Sequence, residues 1–160
     1  MEIRKAVTGI AVDSNVAKIT VRGVVDRPGV AAGLLKPLAD EGVSVDVIVQ
    51  NTSSDGTTDF TFTVGQASVV KAAQLIEEQS VIEYAEVITG SDLAKVSIVG
   101  TGMENAPGYA ARMFSTLSEA KVNIDMITTS EIRITTIIDR EQVQKAVQSL
   151  HDAFELEKSQ

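Results

Sequence analysis

The strongest constraint on this chain is that it repeats itself. Displaced by 79 positions, Pro28-Gly29-Val30-Ala31-Ala32 falls on Pro107-Gly108-Tyr109-Ala110-Ala111, Leu38 on Leu117, and Val43-Ser44-Val45-Asp46-Val47-Ile48 on Val122-Asn123-Ile124-Asp125-Met126-Ile127. About a third of the aligned positions from Pro28 to Asn51 are identical. Upstream, Ala17-Lys18-Ile19-Thr20-Val21 matches Ala94-Lys95-Val96-Ser97-Ile98 once two extra residues are allowed in the second copy. One supersecondary module is used twice.

The heart of each copy is a strand-to-helix elbow. Before Asp26-Arg27-Pro28-Gly29, residues 17–24 alternate as a strand does; after it, Val30, Leu34, Leu35 and Leu38 recur at helical spacing. Pro28 suits a first helical turn, where its missing N–H costs nothing, and Gly29 leaves the free N–H groups behind it open to a ligand. Unpaired donors and the positive end of the helix dipole favour a carboxylate there. The plain alternative is a helix start with Asp26 as its N-cap.

Taken in order, Val7 to Asp13 reads as a strand ending in an Asp13-Ser14-Asn15 turn, outside the first repeat. The repeat then predicts strand 17–24, helix 29–41 kinked at Pro37, strand 43–50, a hairpin through Asp55-Gly56 to strand 59–64, helix 68–79 with Val69, Val70, Ala73 and Ile76 inward, and strand 82–89. The second copy predicts strand 94–100, helix 108–120, strand 122–128, strand 131–138 with one face open, and a helix capped by Asp139 that buries Val143, Ala146, Val147, Leu150 and Phe154. Each copy is an α+β unit, βαββαβ. The second lacks its fourth strand, and Val7 to Val12 is the spare one, so the expected domains are 15–91 and 92–160 plus 1–14, the latter discontinuous.

Composition narrows the function. A formal charge of −8 gives no electrostatic footprint for nucleic acid or an anionic membrane. The absence of cysteine removes thiolate and disulfide chemistry and fits a reducing cytoplasm. No run reaches membrane-spanning length. There is no phosphate-binding glycine signature and no clustered set of metal ligands; His151, the single histidine, reads as a solvated helix residue and Glu77-Glu78 as a solvated face. The expectation is no catalytic residue, no metal and no cofactor in this chain.

Paired βαββαβ units with an elbow after the first strand resemble tandem ACT domains, which are ferredoxin-like. Several runs carry a closer likeness: Val7-Thr8-Gly9-Ile10-Ala11, Asp26-Arg27-Pro28-Gly29, Val49-Gln50-Asn51-Thr52-Ser53, Asp55-Gly56-Thr57-Thr58-Asp59-Phe60-Thr61-Phe62, Val96 through Met103, Asn123-Ile124-Asp125-Met126-Ile127, and above all Thr129-Ser130-Glu131-Ile132-Arg133-Ile134. Nearly the whole chain, through Ala146 to Phe154, is similar to the C-terminal regulatory region of the aspartate kinase (aspartokinase) family. The family's kinase domain lies N-terminal to that region and has no counterpart here. In some members the region is also made as a separate β subunit that pairs with a catalytic α subunit, and a chain beginning at Met1 resembles that subunit.

The resemblance implies side-by-side ACT domains of two chains, with an end-product amino acid, L-threonine or else L-lysine, bound between one chain's elbow and the partner's strand, and feedback inhibition of the kinase as the outcome. A free amino acid needs a carboxylate receptor and an ammonium acceptor, since burying either charge unpaired costs several kcal/mol. The expected effector site is Asp26, Pro28, Gly29, Val30, Ala31, Gln50 and Asn51, closed by Asn123 and Ile124 of the other chain. Backbone N–H groups at Gly29 to Ala31 would take the carboxylate; whether Asp26 or Gln50 meets the ammonium is left open. A second site would comprise Asn105, Pro107, Gly108, Tyr109, Ala110, Thr129 and Ser130, with Ser44 and Val45 in the places of Asn123 and Ile124. It has Asn105 for Asp26 and Thr129 for Gln50, so the two sites should be unequal. Ser53, Thr58 and Thr61 stand at positions tied to feedback in the family. The competing readings are a ligand-independent assembly module that holds kinase subunits together and a free-standing ACT amino-acid sensor.

Overall fold

A computed structural model of the chain describes residues 7–103 and 108–156. Its elements are β1 (Val7–Val25), α1 (Val30–Asp40), β2 (Val45–Thr52), β3 (Thr57–Val64), α2 (Val69–Glu78), β4 (Glu86–Gly100), α3 (Gly108–Glu119), β5 (Met126–Thr129), β6 (Arg133–Asp139) and α4 (Val143–Ala153). The chain divides into two compact units, one of Asn15–Asp92 and one of Met1–Ser14 with Leu93–Gln160.

In the first unit the strand order is β2-β3-β1-β4, with β3 antiparallel to both β1 and β2. Ile19, Val21, Phe60, Phe62 and Val64 cover one sheet face and meet Val30, Leu34 and Leu38 of α1 and Val69, Ala72 and Ile76 of α2 in a single aliphatic core. The period-2 pattern of the strands and the 3.6-residue pattern of the helices thus close on each other. In the second unit the order is β1-β4-β6-β5, and Ala94, Val96, Ile98, Ile134 and Ile138 pack against Met113 and Leu117 of α3 and Ala146, Leu150 and Phe154 of α4. Thr8 Oγ1 donates to Val99 O at 3.3 Å, and Val7 lies in that second core.

Several expectations are corrected. No turn interrupts 13–15: β1 runs unbroken for 19 residues, and Asn15 Oδ1 instead accepts the Gln66 N–H at 3.1 Å. Strands 82–89 and 94–100 are replaced by one strand, β4, which passes through Gly90-Ser91-Asp92. Gln66 clamps this passage, accepting from Asp92 N and donating to Asp92 Oδ1, both at 3.0 Å. Ile82 leaves the strand to fill the first core, its segment held by the Gln79 amide. Val122 is drawn off its strand by a helix-closing bond to Leu117 O, so β5 starts only at Met126.

Helix faces and caps also shift. Val70 is 67% exposed and Ala72 takes the inward position. Pro37 lies in the last turn of α1, which continues around it, flanked by buried Leu34 and Leu38. Neither Asp26 nor Asp139 caps a helix with its side chain: the N-cap of α1 is Gly29, and a short 3-10 turn, Arg140–Gln142, precedes α4. Nor is one face of β6 open. Thr135 and Ile137 are buried as fully as Ile134 and Ile138, and Ser97 Oγ and Thr135 Oγ1 share a buried hydrogen bond of 2.7 Å.

Candidate functional site

The first elbow is built by backbone chemistry. Gly29 adopts φ 93°, a left-handed conformation that a side chain would strain, although a Cβ there would meet no neighbour within 4 Å. Glycine is therefore needed for the turn itself, and the space above it stays open. The Gly33 N–H closes the first turn on Gly29 O at 2.9 Å, and Val30 N donates to Arg27 O at 3.3 Å. The N–H groups of Gly29, Ala31 and Ala32 stand ahead of the intrahelical ladder, at the positive end of α1. Entry to the elbow is fixed on two sides: Val25 N donates to Glu83 O and Asp26 N to Gly56 O, each at 3.0 Å. Asp26, Pro28 and Gly29 are exposed, Ala31 half-buried and Val30 buried in the core.

Gln50 arrives at the same end of the sheet through a distortion. Gln50 lies opposite Phe60, which in turn lies opposite Val21, so all three share the face on which α1 packs. The β2–β3 register slips between Asp46 and Val49, with Val47 at φ 42°. A β-branched residue rarely takes that conformation, and it stores strain of about 1–3 kcal/mol. Without the extra residue Gln50 would point to the opposite face. Gln50 Nε2 donates to Thr58 Oγ1 at 3.2 Å, and that buried hydroxyl donates to Asn51 O at 3.2 Å. One strand, β3, separates β2 from β1, so Gln50 lies roughly 10 Å across the sheet from the strand that leads into the elbow.

Asn123 and Ile124 belong to the second unit. With Phe114, Ser118, Lys121 and Val122 they line a concavity of about 430 Å³ beside the end of α3. The second elbow opens α3 with Gly108; Tyr109 and Ala110 pack half-buried on the second core, while Asn105 and Pro107 lie outside the described residues. Thr129 pairs with Ile134 as Gln50 pairs with Phe60, and Ser130 N donates to Arg133 O at 2.7 Å. Ser44 is exposed, and Val45 pairs with Val64 at the start of β2.

Three residues escaped the sequence reading. Val47 carries the bulge in β2, and a second slip between Val21 and Val24 is made by Gly23, at φ 68°, whose N–H donates to Asp59 Oδ1 at 2.8 Å. A glycine inside an alternating strand was the available signal for the second; a valine gives none for the first. Among the described residues no three His, Cys, Asp or Glu side chains gather as metal ligands, and no helix is long and apolar enough to cross a membrane. His151 is half-buried on α4 and lines, with Val147, Asp152 and Leu156, a concavity of about 880 Å³.

Comparison with known proteins gives a consistent result. Residues 18–80 and 96–154 each match an ACT domain profile. The aspartokinase of Pseudomonas aeruginosa is 45% identical over 152 residues, which cover 94% of this chain and 37% of that protein. The chain thus spans a little over a third of the curated relatives it matches. A crystal structure of aspartokinase alpha and beta subunits superposes with a TM-score of 0.86 at 45% identity, covering 94% of this chain and 100% of the matched one. The ligand-free regulatory subunit of aspartate kinase from Thermus thermophilus does so at 0.85 and 39%, covering 94% and 99%.

Proposed function

Because the chain belongs to the aspartokinase family, as its regulatory part with two ACT domains, we propose that it is the feedback sensor of that enzyme. The effector is an end-product amino acid of the aspartate family, L-threonine in the first place and L-lysine in the second. It binds at the first elbow with its carboxylate on the N–H groups of Gly29 and Ala31 and its remaining polar groups toward Asp26 and Gln50. The observation that carries this reading is the bulge at Val47, which turns Gln50 to the face of the elbow at the cost of backbone strain.

The site is completed by a second copy. β2 ends the first unit's sheet, leaves Ile48 52% exposed and carries Gln50 and Asn51, so an ACT unit laid alongside it would cover apolar surface and bring Asn123 and Ile124 to the effector. A ligand that bridges two copies stabilises only the arrangement in which both contact it, and by that differential affinity it shifts the kinase toward its inhibited state. The partners are then a second copy, a catalytic α subunit and the amino acid, in the cytoplasm; phosphoryl transfer to aspartate resides in the kinase part.

The same exposed edge supports a second reading, an assembly module whose pairing needs no ligand. Mixing the chain with its catalytic partner and titrating threonine, then lysine, into an aspartate kinase assay separates the two. Inhibition that requires this chain supports the sensor. Association without any effect of either amino acid supports the assembly module.

A further inference from the structure

The two sheets differ at one point that the repeat should have made identical. In the second unit β4 pairs with β6 without a slip from Leu93 to Val99, and Gly100 N continues the ladder by donating to Ile132 O at 2.9 Å. By register, Gly23 and Thr58 are the first-unit counterparts of Gly100 and Ile132. Yet Gly23 and Thr58 are not register partners. Gly23 N donates to the Asp59 side chain at 2.8 Å, and Val24, not Gly23, becomes the partner of Thr58. The position of Asp59 is occupied by Arg133 in the second unit, which has no acceptor to offer.

A carboxylate oxygen thus accepts the Gly23 N–H where one extra residue enters β1. Because side chains alternate with a period of two, that residue reverses the facing of everything between it and the elbow. Val24 turns into the core, and Asp26 N meets Gly56 O. The bulge is seated from the other side as well: Ala85 N donates to Arg22 O at 2.8 Å, and a Cβ added to Gly23 would stand 2.8 Å from Ala85 Cβ.

We infer that Asp59 is a positioning residue for the effector site: by holding the Gly23 N–H it sets the register at which the elbow presents Asp26 and the N–H groups of Gly29 and Ala31. The inference rests on the sensor reading above. What matters is where the acceptor atom sits, so the charge of Asp59 and its geometry can be separated. Asp59→Asn keeps an acceptor oxygen in place and removes the charge. Asp59→Glu keeps the charge and moves the oxygens outward by one methylene.

The test is calorimetric titration of L-threonine into the wild-type chain, D59N and D59E, with amide hydrogen exchange at Gly23, Asp26 and Gly33 of the free proteins and thermal melting as the check on folding. D59N should bind within about twofold of wild type, and D59E should bind about tenfold more weakly, the equivalent of one hydrogen bond, with faster exchange at Gly23 and Asp26. Wild-type affinity in D59E, or equal losses in both variants, would overturn the role of Asp59. A wild-type chain that gives no heat sinks the sensor reading instead. The exchange contrast between D59N and D59E then still decides, with equal protection in the two counting against Asp59.

Discussion

Gln50 Nε2 lies 3.2 Å from Thr58 Oγ1, and this contact ties a side chain on the sheet's outer strand to a buried hydroxyl that also holds Asn51 O. Since the amide N–H₂ is engaged by Thr58, the Gln50 carbonyl oxygen is the end left to accept a hydrogen bond from an ammonium or hydroxyl group.

Thr58→Val tests that arrangement with almost no change of shape. The variant removes the donor to Asn51 O and the acceptor for Gln50, which should cost about 1–2 kcal/mol of stability. It should also weaken threonine binding, because the Gln50 amide is then free to turn. Chemical denaturation and titration of the same sample measure both.

The ends of α1 and α3 give a prediction independent of any ligand. Val43 N donates to Leu38 O at 2.9 Å and Val122 N to Leu117 O at 2.8 Å, the same helix-closing bond in both repeats. The residue before each must be left-handed. It is Gly42 at φ 76° in one and Lys121 at φ 61° in the other. Lys121→Gly should therefore stabilise the second unit by roughly 0.5–1 kcal/mol, and Gly42→Ala should destabilise the first by a similar amount. Thermal unfolding of the pair reads both signs; a loss of stability in Lys121→Gly would contradict the account.

Acid should loosen the hairpin between β2 and β3. The Asp55 carboxylate accepts from Thr57 Oγ1 at 2.6 Å and from Thr57 N at 3.0 Å, and these bonds, the hydroxyl's first, hold its pKa below the usual carboxylate value. A lowered folded pKa means the contribution is complete above the ordinary carboxylate pKa and disappears as pH falls through the lower folded one. Asp55 is fully exposed, so the effect should be local. NMR titration should show the Thr57 amide shifting with the Asp55 midpoint, and Thr57→Val should move that midpoint upward.

Much of this was readable from the chain alone. Phe60, Phe62 and Val64 announced a strand with a buried face, and Val30, Leu34 and Leu38 a helix to cover it; all six lie in one core. The departures from that reading have distinct physical causes. Asp13-Ser14-Asn15 and Gly90-Ser91-Asp92 have strong turn chemistry, but ladder bonds and the Gln66 clamp outweigh it, so two pairs of expected strands became β1 and β4. The hydrophobicity of Val70 suggests an inward place, whereas the 3.6-residue period favours Ala72 beside Val69 and Ile76. At the elbow and β2, Pro28-Gly29 and Gln50 were visible as residues. Their facing was not, because it depends on two bulges, one at a valine that no propensity would place at positive φ.

The most direct measurement is isothermal titration of the full chain with L-threonine and, separately, L-lysine, with the dimer fraction followed by sedimentation in the same buffers. The account predicts that threonine binds, strengthens the dimer, adds about 2.7 kcal/mol of stability at a hundred times its dissociation constant, and does none of these in Gln50→Ala. A chain already fully dimeric that gives no heat with either amino acid would contradict it.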